Sequence, residues 1–282
     1  MIKAAVIGDP ISHSLSPKIH NYFLQKYNIR GSYEAIKSSK EDLKNTIENL
    51  VKDGYKGFNI TIPHKESAIN LCDHISQTAR MIGAINTILI LENGKIFGHN
   101  SDAQGFMDNI KYHAPNVTLK NKRSFVIGAG GAARALIYAL VNEGVKDIII
   151  TNRNEIRAQK LITGFDKFAK SKNCQLKFLS KKDFENNLQD CDLLVNATSL
   201  GMENCDSLEI NLGNLNKSAL VNDIVYKPLI TDLLQEVGQN DNIAITGIGM
   251  LIFQALVGFE MWFCKKVQYD ECLAQKLICD QL

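Results

Sequence analysis

The segment Val126-Ile127-Gly128-Ala129-Gly130-Gly131-Ala132-Ala133-Arg134 limits the possible folds more than any other. It fits G-x-G-x-x-A, a glycine turn between a strand and a helix whose third position needs only a small side chain for helix–strand packing. Bare backbone at Gly128 and Gly130, flanked by Ala129, Gly131 and Ala132, lets a pyrophosphate approach a helix N-terminus, where amides and dipole favour an anion. A purely structural glycine turn is the competing reading of the loop alone. The context favours the first: strand patterns at 125–127, 147–151, 176–179, 192–197, 220–224 and 243–245 alternate with helical ones, as in a parallel doubly wound sheet.

The strand after the loop ends in Thr151-Asn152-Arg153-Asn154-Glu155-Ile156-Arg157. Folds that bind NAD usually carry Asp or Glu here for the ribose hydroxyl. Asn152 and Arg153 stand there instead, with Arg157 one helical turn on, and a guanidinium binds a 2′-phosphate that an acid would repel. The strand end therefore points to NADP; an exposed basic helix start is the plainer alternative.

At 282 residues the chain exceeds what one hydrophobic core commonly serves, so two domains are expected. The boundary falls between Asp102 and Lys122. Residues 1–101 would form a substrate-binding and catalytic domain and 102–246 the nucleotide domain, with helices in 247–282 returning to the first. In the first part, a strand at 4–8 precedes Ser12, Ser14 and Ser16, whose alternation aligns three hydroxyls if the segment is extended. Ser16-Pro17 has the cap-then-proline order that opens a helix, and hydroxyls beside a helix N-terminus make a neutral seat for a carboxylate. A helix is expected over 41–53. Gly57 to Ile62 reads as a half-buried strand with Asn59 and Thr61 on its polar side, followed by Pro63 and a helix from Lys65 to Leu71. Asn93-Gly94 marks a hairpin, and a two-residue loop there pairs 91 with 96 and 86 with 101, bringing Asn86 beside Ser101 and Asp102. Gln254 interrupts an apolar helix, so its amide needs partners or a ligand.

Composition removes other classes. Hydrophobic residues at 45% and charged residues at 22% are those of a folded domain, and a net charge of +2 is too small for a typical nucleic-acid binder. Seven cysteines without CxxC spacing or a following histidine pattern read as reduced thiols, with no metal site. His13 and His20 read as surface or packing residues. The start MIKAAVIGDP has no export-signal core, and the greasy stretch 247–264 contains Gln254 and Glu260, so a cytoplasmic protein without a membrane span is expected.

Taken together, Gly8-Asp9-Pro10-Ile11-Ser12-His13-Ser14-Leu15-Ser16-Pro17, Asn59-Ile60-Thr61-Ile62-Pro63-His64-Lys65, Gly83-Ala84-Ile85-Asn86-Thr87 and Gly98-His99-Asn100-Ser101-Asp102 resemble the shikimate dehydrogenase family. So do Asn196-Ala197-Thr198-Ser199-Leu200-Gly201-Met202, Asp223-Ile224-Val225-Tyr226 and Gly247-Ile248-Gly249-Met250. The resemblance implies an α/β protein of two domains, an α/β substrate domain and a Rossmann-like NADP-binding domain, with a cleft between them. It implies reversible NADPH-dependent reduction of 3-dehydroshikimate to shikimate by a monomer or homodimer. By position, Lys65 matches the catalytic lysine with Asp102 as its partner. Ser14 and Ser16 match the carboxylate hydroxyls, with Tyr226 nearby. Asn59, Thr61, Asn86, Asp102 and Gln254 match residues around the ring hydroxyls. Gly128 to Ala132, Asn152 to Arg157, Ile224 and Gly247 match cofactor contacts. Ser101, Asn154, Lys227 and Gln77 depart from the family's usual residues. The alternatives are an enzyme that also takes quinate and a catalytically silent NADP-binding sensor.

Overall fold

The computed structural model describes residues 1–240 and 242–280. They divide into two compact units, Met1–Gly105 with Leu251–Asp280, and Phe106–Met250.

The first unit holds a mixed sheet of β1 (Ile2–Gly8), β2 (Gly31–Lys37), β3 (Gly57–Ile60), β4 (His74–Ile75), β5 (Thr87–Ile90) and β6 (Ile96–His99), ordered β2-β1-β3-β5-β6-β4. β1 is central and parallel to both neighbours, so Ala4 to Ile7 are buried on both faces and read as a continuous apolar run. Helices α1 (Ser16–Lys26), α2 (Leu43–Lys52) and α3 (Gln77–Ile82) belong to this unit. Leu43, Ile47 and Leu50 give α2 its buried stripe against Ala5, Ile7, Phe58 and Ile60. Trp262, on the later helix α9 (Gly247–Phe263), donates its indole N–H to the Ile88 carbonyl at 2.8 Å. A Cβ at Gly57 would meet that indole nitrogen at 2.2 Å, so glycine is required where this helix meets the sheet.

The structure departs from several local expectations. The hairpin pairs Thr87 with His99 and Ile90 with Ile96, one residue off the two-residue register. Leu91 N–H reaches Lys95 O at 2.9 Å around a three-residue loop that ends in Gly94 at φ +77°. A type I turn completed by a left-handed glycine, a common hairpin device, accounts for the shift. Ile11 to Ser14 form a turn, with Ser14 N–H donating to Ile11 O at 3.0 Å, so the serines do not alternate along an extended strand. Ser16 is the first helical residue rather than the cap; its N–H donates to Ser14 Oγ at 3.3 Å. β3 ends at Ile60 and is buried on both faces, while Ile62 is exposed. Lys65 sits in a turn closed by Ala68 N–H onto His64 O at 2.9 Å, and only a 3₁₀ segment, Ser67–Leu71, follows.

The second unit holds a parallel sheet of β7 (Arg123–Ile127), β8 (Asp147–Thr151), β9 (Gln175–Phe178), β10 (Leu193–Asn196), β11 (Leu220–Asp223) and β12 (Ile243–Ile245), ordered β12-β11-β10-β7-β8-β9. This is the dinucleotide-binding order, with its switch point between β7 and β10. Helix α4 (Asp102–His113) leads into the unit; α5 (Gly131–Asn142), α6 (Glu155–Ser171), α7 (Lys181–Asn186) and α8 (Asp232–Gly238) lie within it, and α9 leads out to α10 (Glu271–Cys279) of the first unit. Phe125, Ile127, Ile149, Phe184, Leu194, Val221 and Leu233 form its core. No helix among the described residues is long and apolar enough to cross a membrane.

Candidate functional site

In the first unit the end of β6 and the start of α4 meet the turn after β3. Lys65 Nζ donates to Asp102 Oδ2 at 2.6 Å, and both side chains are largely buried. Asp102 opens α4, where a carboxylate suits the helix dipole, and its own N–H donates to Asn100 Oδ1 at 3.0 Å. Asn86 Nδ2 donates to Asp102 Oδ1 at 2.8 Å and lies 3.0 Å from Ser101 Oγ and 3.3 Å from Gln254 Oε1. Ser101 N–H returns a bond to Asn86 Oδ1 at 2.8 Å. Despite the register error, Asn86 does therefore lie beside Ser101 and Asp102. Ser101 keeps the hydroxyl that threonine would offer. Gln254 finds its second partner in Leu251 O at 2.8 Å.

Asn59 Nδ2 donates to Asn86 O at 2.9 Å, and Asn59 Oδ1 accepts from the Tyr33 hydroxyl at 2.6 Å. Asn59, Lys65, Asn86, Asp102 and Gln254 thus belong to one hydrogen-bonded constellation. Thr61 is half-buried at the turn after β3, and its N–H donates to Ile7 O at 2.9 Å. Ser16 is buried at the start of α1 and Ser14 half-buried just before it. Tyr226 lies in the second unit, where burial raises its phenol above the ordinary range.

Sequence reasoning missed Tyr33. It sits on β2, a strand that was not expected because Glu34, Lys37 and Ser32 dilute its apolar pattern. Asn100 and Thr87 were also missed as parts of the network: Asn100 Nδ2 donates to Ala84 O at 3.0 Å, and Thr87 Oγ1 donates to Asn86 Oδ1 at 2.9 Å.

In the second unit the glycine loop joins β7 to α5 on the switch-point strand. Gly128 has φ +116°, and a Cβ there would meet Thr198 Cγ2 at 2.9 Å and Ala197 O at 3.1 Å. Gly130 precedes the first turn of α5, which Gly131 and Ala132 begin; the nearest atom to a Cβ at Gly130 is Arg157 Nη2 at 3.8 Å. The loop therefore leaves open space beside amides at a helix N-terminus with a guanidinium over it, a fit for an anionic pyrophosphate. Arg157 Nε is anchored to Ala129 O at 2.9 Å. Asn154 Oδ1 accepts from Arg157 N–H at 2.9 Å as the cap of α6, the task that threonine also performs at such a position. Asn152 Nδ2 donates to Asn154 O at 2.7 Å, and Arg153 is exposed. A Cβ at Gly247 would lie 2.4 Å from Ile224 O, so glycine lets the start of α9 press against the backbone after β11. That backbone is held by Asp223, which accepts from Asn196 Nδ2 at 3.0 Å, Val225 N–H at 2.9 Å and Thr231 Oγ1 at 2.8 Å. Burial raises the Asp223 carboxyl above its ordinary range.

A dinucleotide loop in one unit and a buried ammonium–carboxylate pair in the other define an α/β oxidoreductase of the nicotinamide-dependent class. Residues 6–88 match the family model of the shikimate dehydrogenase substrate binding domain, and residues 111–249 that of shikimate / quinate 5-dehydrogenase. The chain belongs to the shikimate dehydrogenase family. It is 39% identical over 270 residues to the shikimate dehydrogenase (NADP(+)) of Paramagnetospirillum magneticum, covering 96% of this chain and 95% of that one. The Thermus thermophilus shikimate 5-dehydrogenase, solved in complex with NADP(H) and shikimate, is 32% identical with a TM-score of 0.85 and 100% coverage of both chains. A quinate dehydrogenase from Corynebacterium glutamicum in complex with NAD is 28% identical with a TM-score of 0.88, covering 99% of each chain.

Proposed function

We propose that the chain catalyses the reversible, NADPH-dependent reduction of 3-dehydroshikimate to shikimate, within the shikimate pathway. The observation that carries this reading is the Lys65–Asp102 pair at 2.6 Å, clasped by Asn86. When bound, the cofactor would supply the hydride needed at the ring carbon. Lys65 gives a proton to the oxygen as negative charge develops there and takes one back in the reverse direction. Asp102 holds Lys65 in place and accepts from the substrate hydroxyl. Asn86, Gln254 and Thr61 surround the ring hydroxyls, and Asn59 is assigned to their surroundings by resemblance. Ser14 and Ser16, beside the N-terminus of α1, donate to the substrate carboxylate, and Tyr226 is assigned to the same carboxylate by resemblance.

For the cofactor, Gly128, Ala129, Gly130, Gly131 and Ala132 take the pyrophosphate, and Asn152, Arg153 and Arg157 take the adenosine end with its 2′-phosphate. Ile224 and Gly247 are assigned to the cofactor by resemblance. Seven cysteines, none of them in a disulfide, fit a reducing cytoplasmic compartment, and a monomer or homodimer is the proposed state.

Following nicotinamide absorbance with shikimate or quinate, each with NADP or NAD, tests the reading. Shikimate with NADP should be the fastest combination, and Lys65→Ala should lower turnover by roughly 10²–10⁴ with substrate still bound. No turnover with any combination would leave a silent nucleotide-binding protein. Comparable rates with quinate would establish dual specificity, which the fold-level likeness to a quinate dehydrogenase makes the second reading.

A further inference from the structure

Asn59 is an unusual substrate ligand because its amide is already engaged. Its oxygen accepts from Tyr33 at 2.6 Å, and its nitrogen donates to Asn86 O at 2.9 Å and lies 3.3 Å from Thr87 Oγ1. An amide nitrogen has two protons, and both are directed into the protein. The side chain is also buried.

Tyr33 is itself held by Asn21 on its backbone and His20 on its ring. Asn21 bonds its backbone twice, through Nδ2 to Tyr33 O at 2.8 Å and Oδ1 from Tyr33 N–H at 3.0 Å. Its ring stacks on His20 with centroids 4.1 Å apart. Burial pushes its phenol well above the ordinary range, so the hydroxyl stays protonated and donates; the Ser16 side chain, close by, opposes that shift. Beyond Asn59 the chain of bonds continues through Asn86 Nδ2 to Asp102 Oδ1 and from Asp102 Oδ2 to Lys65.

We propose that Tyr33 is a positioning residue of the substrate site: its hydroxyl fixes the Asn59 amide, which holds the Asn86 backbone and so aligns Asn86 and Asp102 with Lys65. The assignment rests on the dehydrogenase reading given above. It makes Asn59 the middle of a relay rather than a primary contact of the ring.

The wild-type enzyme's turnover of shikimate with NADP tests the activity reading by itself, so the relay can fail without it. Tyr33→Phe keeps the ring against His20 and removes only the hydroxyl. Its kcat/KM for shikimate should fall about tenfold, the scale of one lost buried hydrogen bond, with the KM for NADP unchanged. The fall should be equal for shikimate and its methyl ester, because the relay acts on the ring side rather than at the carboxylate. In an Asn59→Ala background the same change should cost less than about twofold, since the path is already broken. A fall confined to shikimate would show that Tyr33 works through Ser16 and would overturn the relay. A lower melting temperature with unchanged kinetics, or full additivity with Asn59→Ala, would overturn it too. Should Tyr33→Phe not fold, Asn21→Ala decides: it leaves Tyr33 and Asn59 in place, frees the Tyr33 backbone that Asn21 holds at 2.8 and 3.0 Å, and must lower kcat/KM equally for shikimate and its methyl ester, and wild-type values would refute the proposal.

Discussion

Arg153 and Arg157 stand four residues apart in different surroundings, and of the two roles proposed for Arg157 the bond to the loop predicts the larger effect. Arg157 is anchored through Nε to the Ala129 carbonyl and braces the glycine loop, whereas Arg153 is exposed beyond the end of β8. Arg153→Ala should therefore raise the KM for NADP about tenfold to a hundredfold, the range of charge-assisted bonds, and leave that for NAD nearly unchanged. Arg157→Ala should weaken both cofactors, because the loop they share loses its brace. Equal effects of the two variants on the NADP-to-NAD ratio in steady-state kinetics would refute this division. His20 gives a second test at this scale. It is fully buried, neither ring nitrogen meets a hydrogen-bond partner among the described residues, and burial lowers its pKa from 6.5 to about 3. The Asn59 amide opposes that shift only in part, being committed to Tyr33, Asn86 and Thr87. The folded ring stays neutral while the unfolded chain takes up a proton below pH 6.5, so stability is lost as pH falls from there toward 3. By pH 5 the loss from this one group is about 2 kcal/mol. Urea unfolding at pH 7 and pH 5 should show that loss in the wild type, over and above the change in His20→Phe, and parallel changes would disprove it.

At the scale of elements, the glycine loop makes its two key glycines necessary for different reasons. Gly128 combines a positive φ with a contact that a methyl group would violate, so Gly128→Ala should destabilise the fold by about 1–3 kcal/mol. Gly130 faces open space with only Arg157 Nη2 at 3.8 Å, so Gly130→Ala should keep the melting temperature and lose NADP affinity. Titration by fluorescence and a thermal melt of each variant would distinguish the two; a Gly130→Ala melt as low as that of Gly128→Ala would contradict the reading. The same contrast shows how far sequence reasoning reaches. The loop, the alternation around it and the parallel sheet were legible because βα repetition writes a local, periodic signal. The turn around Lys65 was not, because one isolated helical-type bond, Ala68 N–H to His64 O, and the 3₁₀ segment after it use the same residue types as a regular helix. The hairpin was legible as a hairpin but not in register, since Asn93-Gly94 serves both two-residue and three-residue loops and only the backbone φ distinguishes them. Asn86 survived that error because its side chain spans one residue of slippage to both Ser101 and Asp102. Tyr33 was illegible: its value comes from partners on other elements, Asn59 on β3 and His20 and Asn21 on α1, which no window of sequence contains.

At the scale of the molecule, each unit has its own sheet and its own buried cluster, around Phe58 and Ile85 in one and Phe125 and Val221 in the other. The chain passes between them twice, through α4 and α9. Units with separate cores open as separate cooperative blocks, and a ligand that binds only the native form raises the opening free energy of the block it contacts. At a hundred times its dissociation constant that increase is about 2.7 kcal/mol, roughly a hundredfold in the exchange rate of the most protected amides. The proposed cofactor residues, 128–132, 152, 153, 157, 224 and 247, all lie in Phe106–Met250; apart from Tyr226, the proposed substrate residues all lie in the other unit. NADP alone should therefore slow hydrogen exchange most in β7, β8, β10 and β11. Shikimate alone should slow it most in β1, β3, β5 and β6 and in the turn around Lys65. Mass-spectrometric exchange with each ligand alone reads both maps in one experiment. Equal protection of both sheets by NADP alone would mean that the two cores unfold as one block. Protection of the first unit's sheet by NADP in preference to the second would refute the assignment of the cofactor to the glycine loop.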